Sequence, residues 1–407
     1  MIVCLLRILL EGVNNFMSKK WVISALSCIV SISISQSILG QEALPKAPEI
    51  AAKSWILMDA NTGFVISEHN ADEALPPASL VKMMTTYIAS NQISTGILDQ
   101  FENVTISDNA WAKGGAKTDG STMFLNPRSQ VSVIDLIRGI IIQSGNDAAI
   151  ALAEHISGNE ESFSVLMNQT ARNIGMSNTF FSNSTGLPAD EMRSSARDLS
   201  ILARAIVQGD QDHYAIYSEK YFQHNNINQP NRNRLLWRDS TVDGLKTGHT
   251  QAAGYCLVAS AKRNDMRLIS VVMGAPSADI RARQSQKLLT YGFRHFTTKK
   301  IYSAGDLIKK NVKVWFGVES YVNLVVANDV TLTFPKRAEE LLAAKIIIDE
   351  QLNAPLMARQ EVGRLQVSLT EKDLIDTAIV SEKDVPQSGL LARLFDWIVL
   401  FLTEIMS

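Results

Sequence analysis

A chain of 407 residues with 46% hydrophobic and 20% charged residues is long enough for two domains and a large core, and its composition is that of an ordinary globular protein. A net charge of −2, with no Lys/Arg run interleaved with aromatics, excludes a nucleic-acid surface. Three cysteines and six histidines show no zinc-ligand spacing, so no metal or cofactor is expected, and loss of Cys4 and Cys28 with an export signal would leave Cys256 without a disulfide partner.

Residues 1–40 read as that export signal. Lys19 and Lys20 form a positive n-region, Trp21 to Ile34 a serine-diluted apolar h-region, and Ser35, Ser37 and Gly40 are small residues suited to cleavage. Met1 to Phe16 does not fit an n-region, whereas a start at Met17 gives a signal of normal length. An uncleaved N-terminal anchor is the weaker reading, because the apolar run is short and broken by serines; the run before Ser27-Cys28 is likewise too short for a lipoprotein site.

After Pro45 and Pro48, residues 52–57 and 63–67 predict two short strands joined by the turn Asp59-Ala60-Asn61-Thr62-Gly63. The hairpin leads into Leu75-Pro76-Pro77-Ala78-Ser79-Leu80-Val81-Lys82. The prolines predict an extended approach, Ser79 stands where a helix begins, and Met83, Met84, Tyr87 and Ile88 continue an apolar face at helical spacing. Ser79 and Lys82 then share one helical face, with the hydroxyl at the positive end of the macrodipole and an amine one turn on that takes its proton if neutral. Alone, the pair is more economically an N-cap serine and a solvated lysine, since Ser-x-x-Lys recurs by chance on the order of once in such a chain.

Residues 109–126, rich in Gly, Lys, Thr and Ser, predict a loop. A helix over 133–142 reaches Gln143-Ser144-Gly145-Asn146-Asp147, and another follows over 148–156; on its own this junction is a helix-to-helix turn. Further helices are expected over 160–175 and 195–208, separated by the loop 183–188. Lys246-Thr247-Gly248 falls on a strand before two apolar runs, 254–261 and 268–274, joined by Lys262-Arg263-Asn264-Asp265, and a helix over 280–296 closes the first domain.

Beyond Thr298 short alternating segments, Val312/Val314/Phe316, Val322/Leu324/Val326 and Gly363/Leu365/Val367/Leu369, predict a small β-rich domain without a catalytic cluster. Residues 389–407 predict a helix with Leu391, Leu394, Phe395, Ile398, Leu402 and Ile405 on one face and Arg393, Asp396, Glu404 and Ser407 on a narrow polar stripe. Its charges argue against spanning a bilayer and for lying in the interface, held by apolar burial more than by attraction to anionic lipid.

Ser79-x-x-Lys82, Ser144-Gly145-Asn146 and Lys246-Thr247-Gly248, in that order in an exported chain, resemble the motif set of the penicillin-binding proteins and serine β-lactamases. With Pro77-Ala78-Ser79-Leu80-Val81-Lys82, Asn183 to Leu187, Lys246-Thr247-Gly248-His249-Thr250, Ala354-Pro355-Leu356 and the final helix, nearly the whole mature chain is similar to the membrane-anchored low-molecular-mass D-alanyl-D-alanine carboxypeptidases. The resemblance implies an α+β fold: a penicillin-binding transpeptidase-like domain over residues 41–297 with an antiparallel sheet flanked by helices, a β-rich domain over 298–384, and an amphipathic anchor helix over 385–407 on the periplasmic face of the inner membrane.

It also implies the roles. Ser79 is the nucleophile, Lys82 the base, kept neutral by desolvation and a neighbouring cation such as Lys246, and Ser144 the proton carrier to the leaving D-alanine. Asn146 holds the substrate amide, and the backbone N–H groups of Ser79 and His249 form the oxyanion hole. Lys246, Thr247 and Thr250 supply the charge and hydroxyls for the terminal carboxylate, and Gly248 and His249 count with them as substrate-binding. Arg281 matches a family arginine without an assigned place. The implied partners are peptidoglycan pentapeptides ending in D-Ala-D-Ala, β-lactam antibiotics as covalent inhibitors, and the membrane; a homodimer is left open. A β-lactamase of the class A type needs a deacylating glutamate, which Asn183 to Pro188 does not offer, and a silent peptidoglycan-binding protein would not need every catalytic position filled.

Overall fold

Apolar residues at consecutive rather than alternate positions mark the first strand of the central sheet. In β1 (Ser54–Asp59), Ile56 and Met58 belong to one hydrophobic cluster and Trp55 and Leu57 to another, and all four are buried, so both faces of the sheet are covered. This computed structural model describes residues 46–406 apart from Ala116, Lys117, Asp119 and Glu371; the export segment expected over 1–40, with Cys4, Cys28 and Met17, lies outside the described residues.

β1 and β2 (Val65–His69) each start two residues later than the sequence predicts. The reason is Asp59, whose Oδ1 accepts from the N–H groups of Asn61 and Thr62 at 2.8 and 3.0 Å, so the turn begins only there. Two small ribbons follow, β3 (Asn103–Thr105) with β4 (Gln130–Ser132) and β5 (Tyr221–His224) with β6 (Ile227–Pro230). The meander β7 (Val242–Thr250), β8 (Gly254–Arg263) and β9 (Met266–Ala275) then completes a five-stranded antiparallel sheet in the order β2-β1-β9-β8-β7. The connection between β8 and β9 is tighter than the four residues expected, because Lys262 and Arg263 still pair with Arg267 and Met266 and leave only Asn264 and Asp265 unpaired.

The helix Ala278–His295 covers one face with Leu288, Leu289 and Phe293. A helical layer covers the other, and two of its helices are buried nearly all round: Lys82–Ser94, with Lys82 to Thr86 enclosed, and Asn146–Ser157, with Asn146 to Ala153 enclosed. Two expectations need correction here. The stretch 109–126 is not loop throughout, since Ser107 accepts from Ala110 N and caps a helix over Asp108–Gly114. The helix expected over 133–142 is α-helical only over Val133–Arg138; it continues as a π-turn, Gly139–Gln143, that delivers Ser144 in a left-handed conformation with φ 62°.

The remaining chain forms β10 (Phe296–Tyr302), β11 (Leu307–Trp315), β12 (Tyr321–Val326), β13 (Val330–Pro335), β14 (Leu342–Ile348), β15 (Leu352–Asn353), β16 (Glu361–Leu369) and β17 (Lys372–Ser381). Six of these make one sheet in the order β14-β16-β17-β12-β11-β15, around a core that includes Val314, Leu324, Phe334, Leu365 and Ile379. Phe316 is not part of the strand as its spacing predicted; with φ 63° it opens the turn after β11. The last helix, Leu390–Met406, leaves Leu391, Leu394, Phe395, Ile398, Leu402 and Ile405 exposed, while on its polar side Asp396 Oδ2 accepts from Phe316 N at 2.8 Å. Ser407 and the side chain of Glu404 lie outside the described residues. Among the described residues no helix is long and apolar enough to cross a membrane.

A buried carboxylate joins the five-stranded sheet to the separate two-stranded ladder of β10 and β13. Asp59 Oδ2 accepts from Thr298 Oγ1 at 2.6 Å, and Thr333 Oγ1 lies 2.7 Å from Thr62 Oγ1 and 3.2 Å from Thr298 Oγ1. Asp59→Ala removes the acceptor of four buried or half-buried donors and is expected to lower unfolding free energy by about 2–4 kcal/mol. Guanidinium unfolding measures this, and a loss below about 0.5 kcal/mol would show that the junction does not depend on the carboxylate.

Candidate active site

Ser79 does not cap its helix. It lies within a single 3₁₀ turn, Ala78–Val81, that runs into Lys82–Ser94, and Pro77 already has helical backbone angles (φ −80°, ψ −16°) where an extended approach was expected. Ala78, just before the serine, is held at φ 49°, a left-handed conformation strained for a residue with a Cβ. Two glycines make this tight turn possible. A Cβ on Gly186 would sit 1.9 Å from Ala78 O, and one on Gly248 would sit 3.0 Å from Pro77 O and 3.2 Å from Ser79 N, so the loop 183–187 and strand β7 press on the serine turn from two sides.

Lys82 follows one turn later and is fully buried. Its Nζ lies 2.5 Å from Thr185 O, 2.7 Å from Asn146 Oδ1 and 3.3 Å from Ser79 Oγ. Burial pushes its pKa down to about 7; Asp147 and Glu160 pull it up, and Arg232 pushes it further down. A neutral amine has two N–H donors and one lone pair. The two shorter contacts are to acceptors with no proton to give, Thr185 O and Asn146 Oδ1, so the lone pair is left for the hydroxyl of Ser79.

Lys246 on β7 is also fully enclosed, with Nζ 2.8 Å from Ser144 Oγ and 3.2 Å from Thr247 O. Its pKa lies well below the usual amine value, through burial first and then the positive charges of Lys82, Arg232 and Arg281. The cation that lowers the pKa of Lys82 is not the expected Lys246 but Arg232, whose Nε donates to Gln143 O at 3.0 Å. No spacing signal in the asparagine-rich stretch around it pointed there.

Each residue expected at the site can now be placed. Ser79, Lys82 and Asn146 are joined by direct contacts, and Ser144 with Lys246 forms a second pair. Thr247 is buried beside Lys246, and Gly248 faces the serine turn. His249 is exposed and stacks on Tyr255 with ring centroids 4.0 Å apart. The hydroxyl oxygen of Thr250 has a structural partner, accepting from Ala253 N at 3.1 Å in the turn to β8. Arg281 gains a place under β7, where its NH1 donates to Gly248 O at 2.9 Å and Cys256 O at 3.2 Å.

Two acidic residues hold the walls. Asp147 accepts four hydrogen bonds of 2.7–3.0 Å, from Met123 N, Ala148 N, Thr122 Oγ1 and Leu125 N, tying the segment 122–125 to the Ser144 turn. Glu160 accepts from Ser184 N and Oγ, at 3.2 and 2.6 Å, so this carboxylate is engaged in positioning the loop that caps Lys82. Asp147 adjoined the Ser144 motif in sequence; Glu160 is 24 residues from its partner and carried no signal.

Comparison with known proteins finds matches over both parts of the chain. The family described as D-alanyl-D-alanine carboxypeptidase matches residues 41–277, and the C-terminal domain of penicillin-binding protein 5 matches residues 296–387. The chain is 44% identical over 358 residues to the D-alanyl-D-alanine carboxypeptidase DacC of Escherichia coli, covering 87% of this chain and 89% of that one. The crystal structure of penicillin-binding protein 5 from Haemophilus influenzae is similar with a TM-score of 0.79 and 42% identity, over 84% of this chain and 99% of that one. Penicillin-binding protein D2 of Listeria monocytogenes, solved with ampicillin bound, matches with a TM-score of 0.55 and 28% identity over 61% of this chain and 99% of its own.

Only unprotonated Lys82 can accept the proton of Ser79. Because its pKa is lowered to about 7, the neutral fraction falls about tenfold for each pH unit below 7 and saturates above it. The acylation rate constant for a fluorescent penicillin, measured by rapid mixing from pH 5 to 9, is expected to follow that curve. A rate still climbing steadily between pH 8 and 9 would mean that Lys82 keeps an ordinary amine pKa.

Proposed function

The chain belongs to the D-alanyl-D-alanine carboxypeptidase family and is a serine-type D-Ala-D-Ala carboxypeptidase, and from that premise we propose how its residues divide the reaction on a peptidoglycan pentapeptide. The observation that carries the proposal is the placement of Lys82, enclosed, with two fixed acceptors and its remaining valence toward Ser79 Oγ at 3.3 Å.

Ser79 Oγ attacks the carbonyl carbon of the terminal D-Ala-D-Ala bond as its proton passes to Lys82. The developing oxyanion sits between the N–H groups of Ser79 and His249; the close approach of Gly248 to Ser79 N supports this pairing. Because β7 is the edge strand of its sheet, one side of its backbone is open to hydrogen bonding by an extended peptide, with Asn146 Nδ2 donating to the substrate amide. The terminal carboxylate binds near Lys246, Thr247 and Thr250. Its negative charge favours the charged form of Lys246, opposing the burial and the neighbouring positive charges that depress the pKa of that amine. Ser144 passes the proton held by Lys82 to the nitrogen of the departing D-alanine, and water cleaves the ester on Ser79. A β-lactam carbonyl acylates the same oxygen, which the ampicillin-bound relative supports.

The functional parts follow the boundaries 41–297, 298–384 and 385–407: catalysis, spacing, and attachment to the periplasmic face of the inner membrane. Attachment is supported by the exposed apolar face of the helix Leu390–Met406 and by the turn of its polar side toward Phe316.

Ser79→Ala is expected to abolish both D-alanine release from a pentapeptide and labelling by fluorescent penicillin; labelling that survives would displace Ser79 as nucleophile. The anchor makes a separate expectation. Partial burial of six large apolar side chains contributes several kcal/mol, taking about 1.5–3 kcal/mol for each fully buried one. High salt should therefore not release the protein from membranes, whereas deletion of residues 389–407 should, without loss of peptide hydrolysis. A truncated protein still in the membrane pellet would place the anchor elsewhere.

A further inference from the structure

The turn between β11 and β12 is bound to the segment that leads into the last helix. Ser388 N donates to Phe316 O at 2.8 Å, Val318 N to Pro386 O at 2.9 Å, Phe316 N to Asp396 Oδ2 at 2.8 Å, and Lys383 pairs with Glu319. A second turn reaches the segment just before it, because Leu356 and Val385 form an antiparallel bridge with backbone hydrogen bonds of 3.0 and 2.9 Å and so set Met357 opposite Asp384. Each of the two turns carries an apolar side chain that no core receives: Val318 is 66% exposed and Met357 70% exposed.

Next to them lies an aromatic and cationic cluster. Lys313 and Trp315, two positions apart on β11, and Tyr321, opposite Lys313 on β12, occupy the outer face of the hairpin, while Val314 and Val322 face the core. Lys313 Nζ stands 4.7 Å from the Trp315 ring and 5.5 Å from the Tyr321 ring. Trp, Tyr and Lys are the side chains that settle at the boundary between hydrocarbon and water, where an apolar body and a polar tip can both be satisfied.

We propose that this end of the β-rich domain is a second lipid contact, with Val318, Met357 and the Lys313–Trp315–Tyr321 cluster resting at headgroup level beside the anchor helix. The proposal rests on the anchoring reading above and adds to it. Asp396 lies about 9 Å along the helix from its first residue, at 1.5 Å per residue. A side-chain bond there, added to backbone bonds at residues 386 and 388, fixes the hairpin to the polar side of a helix whose apolar side is turned away. A helix lying in the interface therefore brings the bound turns down with it, and the occupant of their apolar surface is the same bilayer.

Single cysteines in the full-length protein carrying Cys4→Ser and Cys28→Ser, labelled with an environment-sensitive fluorophore and bound to phosphatidylcholine vesicles carrying headgroup or acyl-chain nitroxides, test this. Cys256 is buried and stays unlabelled. Leu394→Cys reports on the helix, Val318→Cys on the proposed contact, and Ile97→Cys, at a position 75% exposed in the catalytic part, serves as the solvent control. Acyl-chain quenching at Leu394→Cys together with headgroup quenching at Val318→Cys well above the control supports the proposal. Quenching at Leu394→Cys alone overturns it and leaves the anchor standing, and quenching at neither position removes both. Val318→Asp combined with Met357→Asp should lower vesicle partitioning about tenfold, the scale of withdrawing a valine-sized side chain from an apolar phase; unchanged partitioning would count against the contact.

Discussion

An amine enclosed by packed helices loses the water that would stabilise its charge, and the rest of the site depends on that loss. Lys82 is brought to about 7 chiefly by burial, although Asp147 and Glu160 favour its charged form. Without enclosure the same Ser-x-x-Lys turn would present a hydroxyl beside a cation, and the cation has no lone pair with which to take a proton. Enclosure in turn requires that the buried N–H groups find acceptors. Thr185 O and Asn146 Oδ1 provide them, and each is fixed by a different part of the chain.

Those parts are held by a short set of polar side chains. Asn183 Oδ1 gathers Thr185 N, Thr185 Oγ1 and Gly186 N at 2.8–3.1 Å, Glu160 holds Ser184, and Asp147 ties residues 122–125 to the turn containing Ser144 and Asn146. These bonds hold the walls in place, because most of them satisfy backbone N–H groups that have no partner in a helix or sheet ladder. The same logic gives Arg281 its role, since it binds the carbonyls of Gly248 and Cys256 and thereby supports the strand that carries Lys246.

Farther from the chemistry, two junctions connect successive parts of the chain. Asp59 with Thr62, Thr298 and Thr333 joins the five-stranded sheet to the ladder of β10 and β13, and Asp396 with Phe316 joins the turn after β11 to the final helix. The final helix is consequently tied to the β-rich part by hydrogen-bonded contacts rather than attached only through the chain.

The amino-acid sequence by itself determined the order and spacing of the three motifs, the strand that carries Lys246, the apolar face of residues 391–405 and the presence of a β-rich second part, because each is a local pattern: a short motif, a period of two, or a helical period. The family resemblance rested on those patterns and supplied the reaction. Tertiary structure alone decided what makes the pattern chemical. Arg232, Glu160 and Asp147 act on Lys82 from 150, 78 and 65 positions away in the chain, the Ser79 turn is shaped by Gly186 and Gly248, and Thr250 proves to be bonded within its own turn. Desolvation and Coulomb interaction depend on distance through space, and no spacing along the chain encodes them. The π-turn that presents Ser144 and the π-to-α junction after it are likewise outcomes of packing, since residues 133–142 read as one uninterrupted apolar helix until their neighbours are in place.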